Sequence, residues 1–244
     1  MQNATAQKIE TTTDANDLGL STLLDGYRFR VADDADTFAR ALDVRREVYV
    51  EDFGYEVAVP DEYDSRSWLL VAEHVETGEI VGTMRLMARE FGPVECEEYF
   101  ELPENVASRK VLELSRFAIL RAHRKTRTFL PIVSVGLFKL AHEFTRLIGA
   151  ECLVVCSKAA KIWTYQSLGF NRTGMTTSYA KLNNVEHELL ALDFTTLYTD
   201  IAGNPFLELF QAELDEIILP TSVPSLGLVD EPMTPEPFKI AVGA

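Results

Sequence analysis

Cysteine is scarce in this 244-residue chain, limited to Cys96, Cys152 and Cys156. So sparse and odd a set excludes a disulfide-framed secreted scaffold and suits a reducing compartment. Cys152 and Cys156 bound the apolar run Leu153-Val154-Val155 and read as core thiols, not metal ligands. Histidine is also thin: His74, His123, His142 and His187 fall at no ligand spacing, so no metal is expected. Positive charge is in deficit, with 38 acids against 23 bases leaving −15, which argues against a nucleic-acid partner. Long apolar runs are missing. Nothing approaches the roughly 20 residues of a spanning helix, and the best candidate, around 129–148, is broken by Lys139, His142, Glu143 and Arg146. The N-terminus, Met1 to Thr5, has neither a basic n-region nor an apolar core. The expectation is a cytoplasmic protein with no stable membrane insertion. No Gly-x-Gly-x-x-Gly follows a strand and no Walker loop is present, so nucleotide folds of those kinds lose support.

What is present is a chain of periodic segments. Residues 1–20 are polar and Thr-rich, an expected flexible arm. Tyr27 to Val31 alternates as a strand, and Asp33 or Asp34 can cap a helix running to about Phe53. Trp68 to Ala72 and Ile80 to Leu86 read as strands around a Glu76-Thr77-Gly78-Glu79 turn. An acidic, irregular stretch from Glu90 to Asn105 follows, then a strand from Val111 to Leu120. Pro131 opens a helix that Gly149 is placed to close. Cys152 to Cys156 is a buried strand, Lys158 to Leu168 a short helix closed by Gly169, and Glu188 to Phe194 the last strand. Asn204-Pro205 resembles an N-cap and N1 of an amphipathic helix with Phe206, Leu209, Phe210, Leu214 and Ile217. Five of the ten prolines lie from Pro220 onward. The order predicts one mixed α/β domain over 21–200, a C-terminal helix over 201–219 and a Pro-rich tail over 220–244.

Charges inside strands need a reason, because burying an unpaired charge is costly. Arg85 interrupts Thr83 to Met87, and Glu113 and Arg116 interrupt Leu112 to Phe117, while Asp61 and Asp64 precede the Trp68 strand. Two arginines and three acids can form one compensated network, either a structural salt-bridge cluster or a reaction site. Glu113 and Arg116 differ by three, so a regular strand sends them to opposite faces. A β-bulge near Ser115–Phe117 changes that and frees a backbone N–H, which is what a thioester carbonyl requires as an oxyanion site.

These residues carry a resemblance. Glu113-Leu114-Ser115-Arg116-Phe117-Ala118, with Asp61-Glu62-Tyr63-Asp64, Gly82 to Leu86, and Arg45, Tyr49 and Gly54-Tyr55 at first-helix positions, resembles the autoinducer-synthase branch of the GNAT acyltransferases. The likeness spans roughly residues 27–195. It is specific as a set, each motif alone being weak. Within the branch the chain is most similar to the long-chain N-acyl amino acid synthases of the FeeM type. The segment from Arg45 to Asp61 is shorter than in the acyl-homoserine-lactone synthases, and their tryptophan after the first helix is missing.

The resemblance implies a GNAT-like mixed central sheet flanked by helices, with N- and C-terminal extensions. It implies an acyl-phosphopantetheine donor on an acyl carrier protein, no bound cofactor, and a small amino-acid acceptor. Glu113 becomes the base, direct or through water. Arg85 and Arg116 orient the acids or bind an acceptor carboxylate, and Arg45, Asp61, Asp64, Phe117 and Ala118 line the substrate site. Tyr165, before Gly169-Phe170, either protonates the leaving thiolate or caps the core with its hydroxyl at the rim. One departure stands out: the usual glycine-rich pyrophosphate loop is replaced by Arg121-Ala122-His123-Arg124-Lys125-Thr126-Arg127. Arg121, Arg124, Lys125 and Arg127 then suit an acidic carrier protein and its phosphopantetheine phosphate. Phe129, Ile132, Val133, Leu137, Phe138 and Trp163 line an acyl slot or simply the core. Lactone synthesis from S-adenosylmethionine, and a non-catalytic fold that only binds acyl carriers, remain the competing readings.

Overall fold

The computed structural model describes residues 24–124, 130–200 and 204–226. The arm expected over 1–20 and most of the tail over 220–244 lie outside them. Eight strands form one sheet in the order β6-β7-β5-β4-β3-β2-β1-β8. They are β1 (Tyr27–Val31), β2 (Ser67–His74), β3 (Ile80–Ala88), β4 (Val111–Ile119), β5 (Cys152–Lys158), β6 (Asn171–Tyr179), β7 (Val185–Asp193) and β8 (Ile217–Ile218). The helices are α1 (Ala35–Arg46), α2 (Glu104–Ala107), α3 (Ile132–Ile148), α4 (Ile162–Ser167), α5 (Leu197–Asp200) and α6 (Pro205–Gln211). Neighbouring strands are antiparallel except β4 with β5 and β1 with β8.

Local chemistry explains the main helices. The Asp34 side chain accepts the Thr37 amide at 2.7 Å and starts α1. That helix widens into a π-helical turn, Glu47–Asp52, a feature that often marks functional sites. α3 starts after Pro131 and ends where Gly149 takes φ 72°. It lies close on the sheet because two glycines allow it. A Cβ on Gly136 would stand 2.1 Å from the Phe29 ring, and one on Gly82 would stand 2.7 Å from Val133. Trp68 and Phe144 meet edge to face at 5.5 Å on the same side. Gly82, Met84 and Leu86 therefore face α3, and alternation turns Thr83, Arg85 and Met87 to the α1 face.

Three expectations need correction. The C-terminal helix expected over 201–219 stops at Gln211, and Ile217 pairs in parallel with β1. Backbone pairing with the sheet edge replaces continued helix there. The segment 171–179, not expected as a strand, is the edge strand β6. Finally, Lys158 ends β5, and the helix expected from it begins at Ile162 after a short 3-10 turn.

Candidate active site

The ladder between β4 and β5 is short. Val111, Leu112 and Glu113 pair with Cys152, Leu153 and Val154, and beyond that point the two parallel strands share no pairs. β4 continues against β3 and β5 continues against β7, so a gap opens between them. At the gap β4 carries the expected bulge. Thr83 faces Ala118 and Arg85 faces Ser115, two steps on β3 against three on β4. Arg116 takes φ 51°, a left-handed conformation costly for a side-chain-bearing residue. The extra residue brings Arg116 to the α1 face beside Glu113, while Phe117 packs against Phe138 of α3 at 5.5 Å.

The α1 face of the gap holds three arginines on three carboxylates. Arg45 bonds Asp64 and stands 3.4 Å from Asp61. Arg85, wholly buried, gives Nε to Ser115 Oγ at 3.1 Å and its terminal nitrogens to Asp61, Asp64 and Glu95. Arg116 bonds Asp61 at 3.0 Å and Glu95. Burial would raise the Asp61 carboxyl, but Arg85, Arg116 and Arg45 hold it well below the ordinary carboxylate range. The set balances, three charges against three.

Glu113 is left over. Its carboxyl is 2% exposed and accepts the Cys96 amide at 3.0 Å. Burial and then the nearby Glu95 charge push it up to about 8, against the pull of the Cys96 amide, Arg85 and Arg116. The arginines cannot hold it ionised because their guanidinium groups are committed to the other acids. A carboxyl with such a value gains and loses its proton near neutrality, as a general base must.

On the other side of the gap, Tyr165 meets Phe138 at 5.7 Å and Phe170 at 5.4 Å, both edge to face. Burial, with Tyr49 and the Cys156 thiol nearby, raises its phenol, keeping it a proton donor. Ala118 is buried opposite Thr83. Trp163, on α4, is 61% exposed. In the basic run, Arg124 is spent on Asp52 and the Ile119 carbonyl and lies over the Phe53 ring, while Arg121 is exposed. Lys125, Arg127 and Phe129 lie outside the described residues. Among the described residues no cluster of three His, Cys, Asp or Glu is arranged to hold a metal ion, and no helix is long and apolar enough to cross a membrane.

Sequence reasoning missed Glu95, the acid shared by Arg85 and Arg116. It also missed an aromatic strap from the α1 side. There the Tyr49 hydroxyl donates to the Phe117 carbonyl at 3.2 Å, Tyr49 meets Tyr55 at 5.9 Å, and Lys158 of β5 donates to the Tyr55 hydroxyl. Glu95 is hidden among six glutamates between Glu90 and Glu104. The pairing of Tyr49 with Phe117 had no local signal.

A mixed sheet whose two parallel central strands part beside a bulge, with a buried carboxyl and a phenol at the opening, defines an acyltransferase of GNAT fold. The family is more specific: the model described as "N-acyl amino acid synthase FeeM" matches residues 40–193, and the chain belongs to that family. The solved structure of FeeM, an N-acyl amino acid synthase from uncultured soil microbes, is 16% identical with a TM-score of 0.60, covering 74% of this chain and 97% of that one. BjaI, a CoA-dependent acyl-homoserine lactone synthase solved with SAM and isopentyl-CoA, is 18% identical with a TM-score of 0.58, covering 83% and 97%. An acyl-CoA N-acyltransferase from Pseudomonas aeruginosa is 16% identical with a TM-score of 0.51, covering 68% and 99%. No curated protein matches the chain.

Proposed function

We propose that this chain moves a long-chain acyl group from the phosphopantetheine thioester of an acyl carrier protein to the amine of an amino acid. The observation that carries the reading is Glu113, a buried carboxyl poised near neutrality beside the β4–β5 gap in a chain of the FeeM family. The thioester enters the gap with its carbonyl at the bulge, where a backbone amide released from the ladder stabilises the oxyanion. Glu113 takes a proton from the acceptor ammonium, directly or through water, and the freed amine attacks. The C–N bond forms, the C–S bond breaks, Tyr165 protonates the departing thiolate, and the second proton lost by the attacking nitrogen returns through water to the Tyr165 phenolate. Arg85 and Arg45 act through the carboxylates they hold, fixing Asp61 and Asp64, and Arg116 pins the bulge to Asp61 and Glu95. In this reading the acidic carrier docks at the basic run through Arg121, Lys125 and Arg127, with Arg124 held by Asp52. Phe117 and Phe138, with Trp163 at the rim, guide the acyl chain.

A second reading is lactone synthesis from S-adenosylmethionine, favoured by the likeness to BjaI over 83% of the chain. One experiment separates them: thiol release from long-chain acyl carrier protein, with pooled amino acids or S-adenosylmethionine as acceptor and mass detection of product. An acyl amino acid that vanishes in Glu113→Gln supports the proposal, and a lactone replaces it with the second reading. Carrier binding without thiol release under any acceptor makes the chain a binding module.

A further inference from the structure

The proposed reaction needs a partner for the carboxylate of the amino-acid acceptor, and the arginines do not supply one. Arg45, Arg85 and Arg116 already carry Asp61, Asp64 and Glu95. We propose that Lys158, seated on Tyr55 at the mouth of the β4–β5 gap, binds the acceptor carboxylate. The inference rests on the acyl-transfer reading above and adds to it the anchor that selects a carboxylate-bearing amine.

Strand geometry places Lys158 at the right level. Glu113 and Val154 are the last pair between the parallel strands. Four residues further along each strand lie Phe117, at the bulge, and Lys158. Val154 shares the α1 face with its partner Glu113, and alternation puts Cys156 and Lys158 on that same face. The strap gives a second, independent fix. The Phe117 carbonyl receives the Tyr49 hydroxyl, Tyr49 packs on Tyr55, and the Lys158 ammonium both donates to the Tyr55 hydroxyl and lies 4.7 Å from its ring centroid. The ammonium is thereby held across the opening from the residue beside which the thioester carbonyl sits.

Its charge is also available. Among the described residues Lys158 has no carboxylate within ion-pair distance, in contrast to the three arginines of the gap. An ammonium has three donors, and Tyr55 takes one. Two remain for a carboxylate whose own carbon is one atom from the reacting amine. In a chain of net charge −15, a local uncompensated cation is what lets an anionic acceptor approach.

The test compares wild type, Lys158→Met and Lys158→Arg with a long-chain acyl carrier protein as donor. Acceptors are the amino acid that the wild type uses and its carboxamide. Lys158→Met keeps the aliphatic stem and removes the charge. A lost charge-assisted bond predicts a rise of roughly 10- to 100-fold in KM for the free amino acid. The KM for the carboxamide and for the donor stays at the wild-type value, and Lys158→Arg recovers most of the preference for the acid. If Lys158→Met retains the wild-type preference for acid over carboxamide, the assignment of Lys158 is overturned while acyl transfer stands. If the wild type acylates no amine at all, both fall together.

Discussion

Glu113→Gln isolates one proton. Glutamine keeps the carbonyl that accepts the Cys96 amide and removes only the ionisation. In the folded chain the Glu113 carboxyl is raised from an ordinary 4.5 to about 8. A raised value means that the folded state holds its proton more tightly than the unfolded state. The stability this provides is complete below about pH 4.5 and is lost as pH rises towards 8. The gap between these two values corresponds to roughly 5 kcal/mol in full, of which about 2 is lost by pH 6 and nearly all by pH 9. The variant escapes that loss. Its stability relative to wild type therefore grows by about 3 kcal/mol between pH 6 and pH 9, or roughly 6–12 °C in Tm for a chain of this size. Thermal unfolding of both proteins across pH 5 to 9 measures it directly. A Tm difference that does not change with pH refutes the argument, because the carboxyl would then titrate alike in both states. The same proton governs rate: with Glu113 as base, wild-type kcat/KM climbs with pH and levels off near 8.

Arg85→Met strands Asp61, Asp64 and Glu95 without their shared guanidinium, and breaking a buried network of this kind costs about 3–5 kcal/mol, read by urea unfolding. Tyr165→Phe lowers kcat by roughly 100-fold or more when the leaving group is an alkyl thiolate that needs a proton. An aryl thioester donor, whose thiolate leaves unprotonated, restores the rate; equal losses with both donors would assign Tyr165 to packing alone. Gly136→Ala drives a methyl into the Phe29 ring and costs about 1–3 kcal/mol by overpacking, visible as a lower urea midpoint.

Much of the fold was legible because its elements state their own ends. Asp34 and Gly149 mark helix termini by chemistry that needs no tertiary context. β6 was not legible: Asn171 to Tyr179 is an edge strand with little apolar surface, and Gly174 at φ 77° sits in a register break between Arg172 and Thr176. Its only instruction is the neighbouring strand. β8 is two residues long and exists by pairing with β1, whereas amphipathic spacing alone favoured a longer α6. At the site, Arg85, Glu113 and Arg116 announced themselves as charges within apolar strands, and the interval of three between the last two disclosed the bulge. Asp61 and Asp64 followed as the counter-charges. Lys158 escaped notice because a lysine at the end of a strand is ordinary until the strand beside it turns away.

The pairing of β1 with β8 has a consequence for where this protein can be cut. Both strands lie outside the segment 40–193 by which the family is recognised, one before it and one after. Phe29 of β1 fills the hollow left by Gly136, and the Phe210 carbonyl receives the Lys139 ammonium from α3. Trimming to the recognisable segment would take away nearly half of α1 and the strand that packs on α3, and would leave the Lys139 ammonium with Glu143 alone, its Phe210 acceptor gone. The segment by which the family is recognised is smaller than the sheet it belongs to, and residues 27–31 and 217–218, far apart in sequence, form one margin of that sheet.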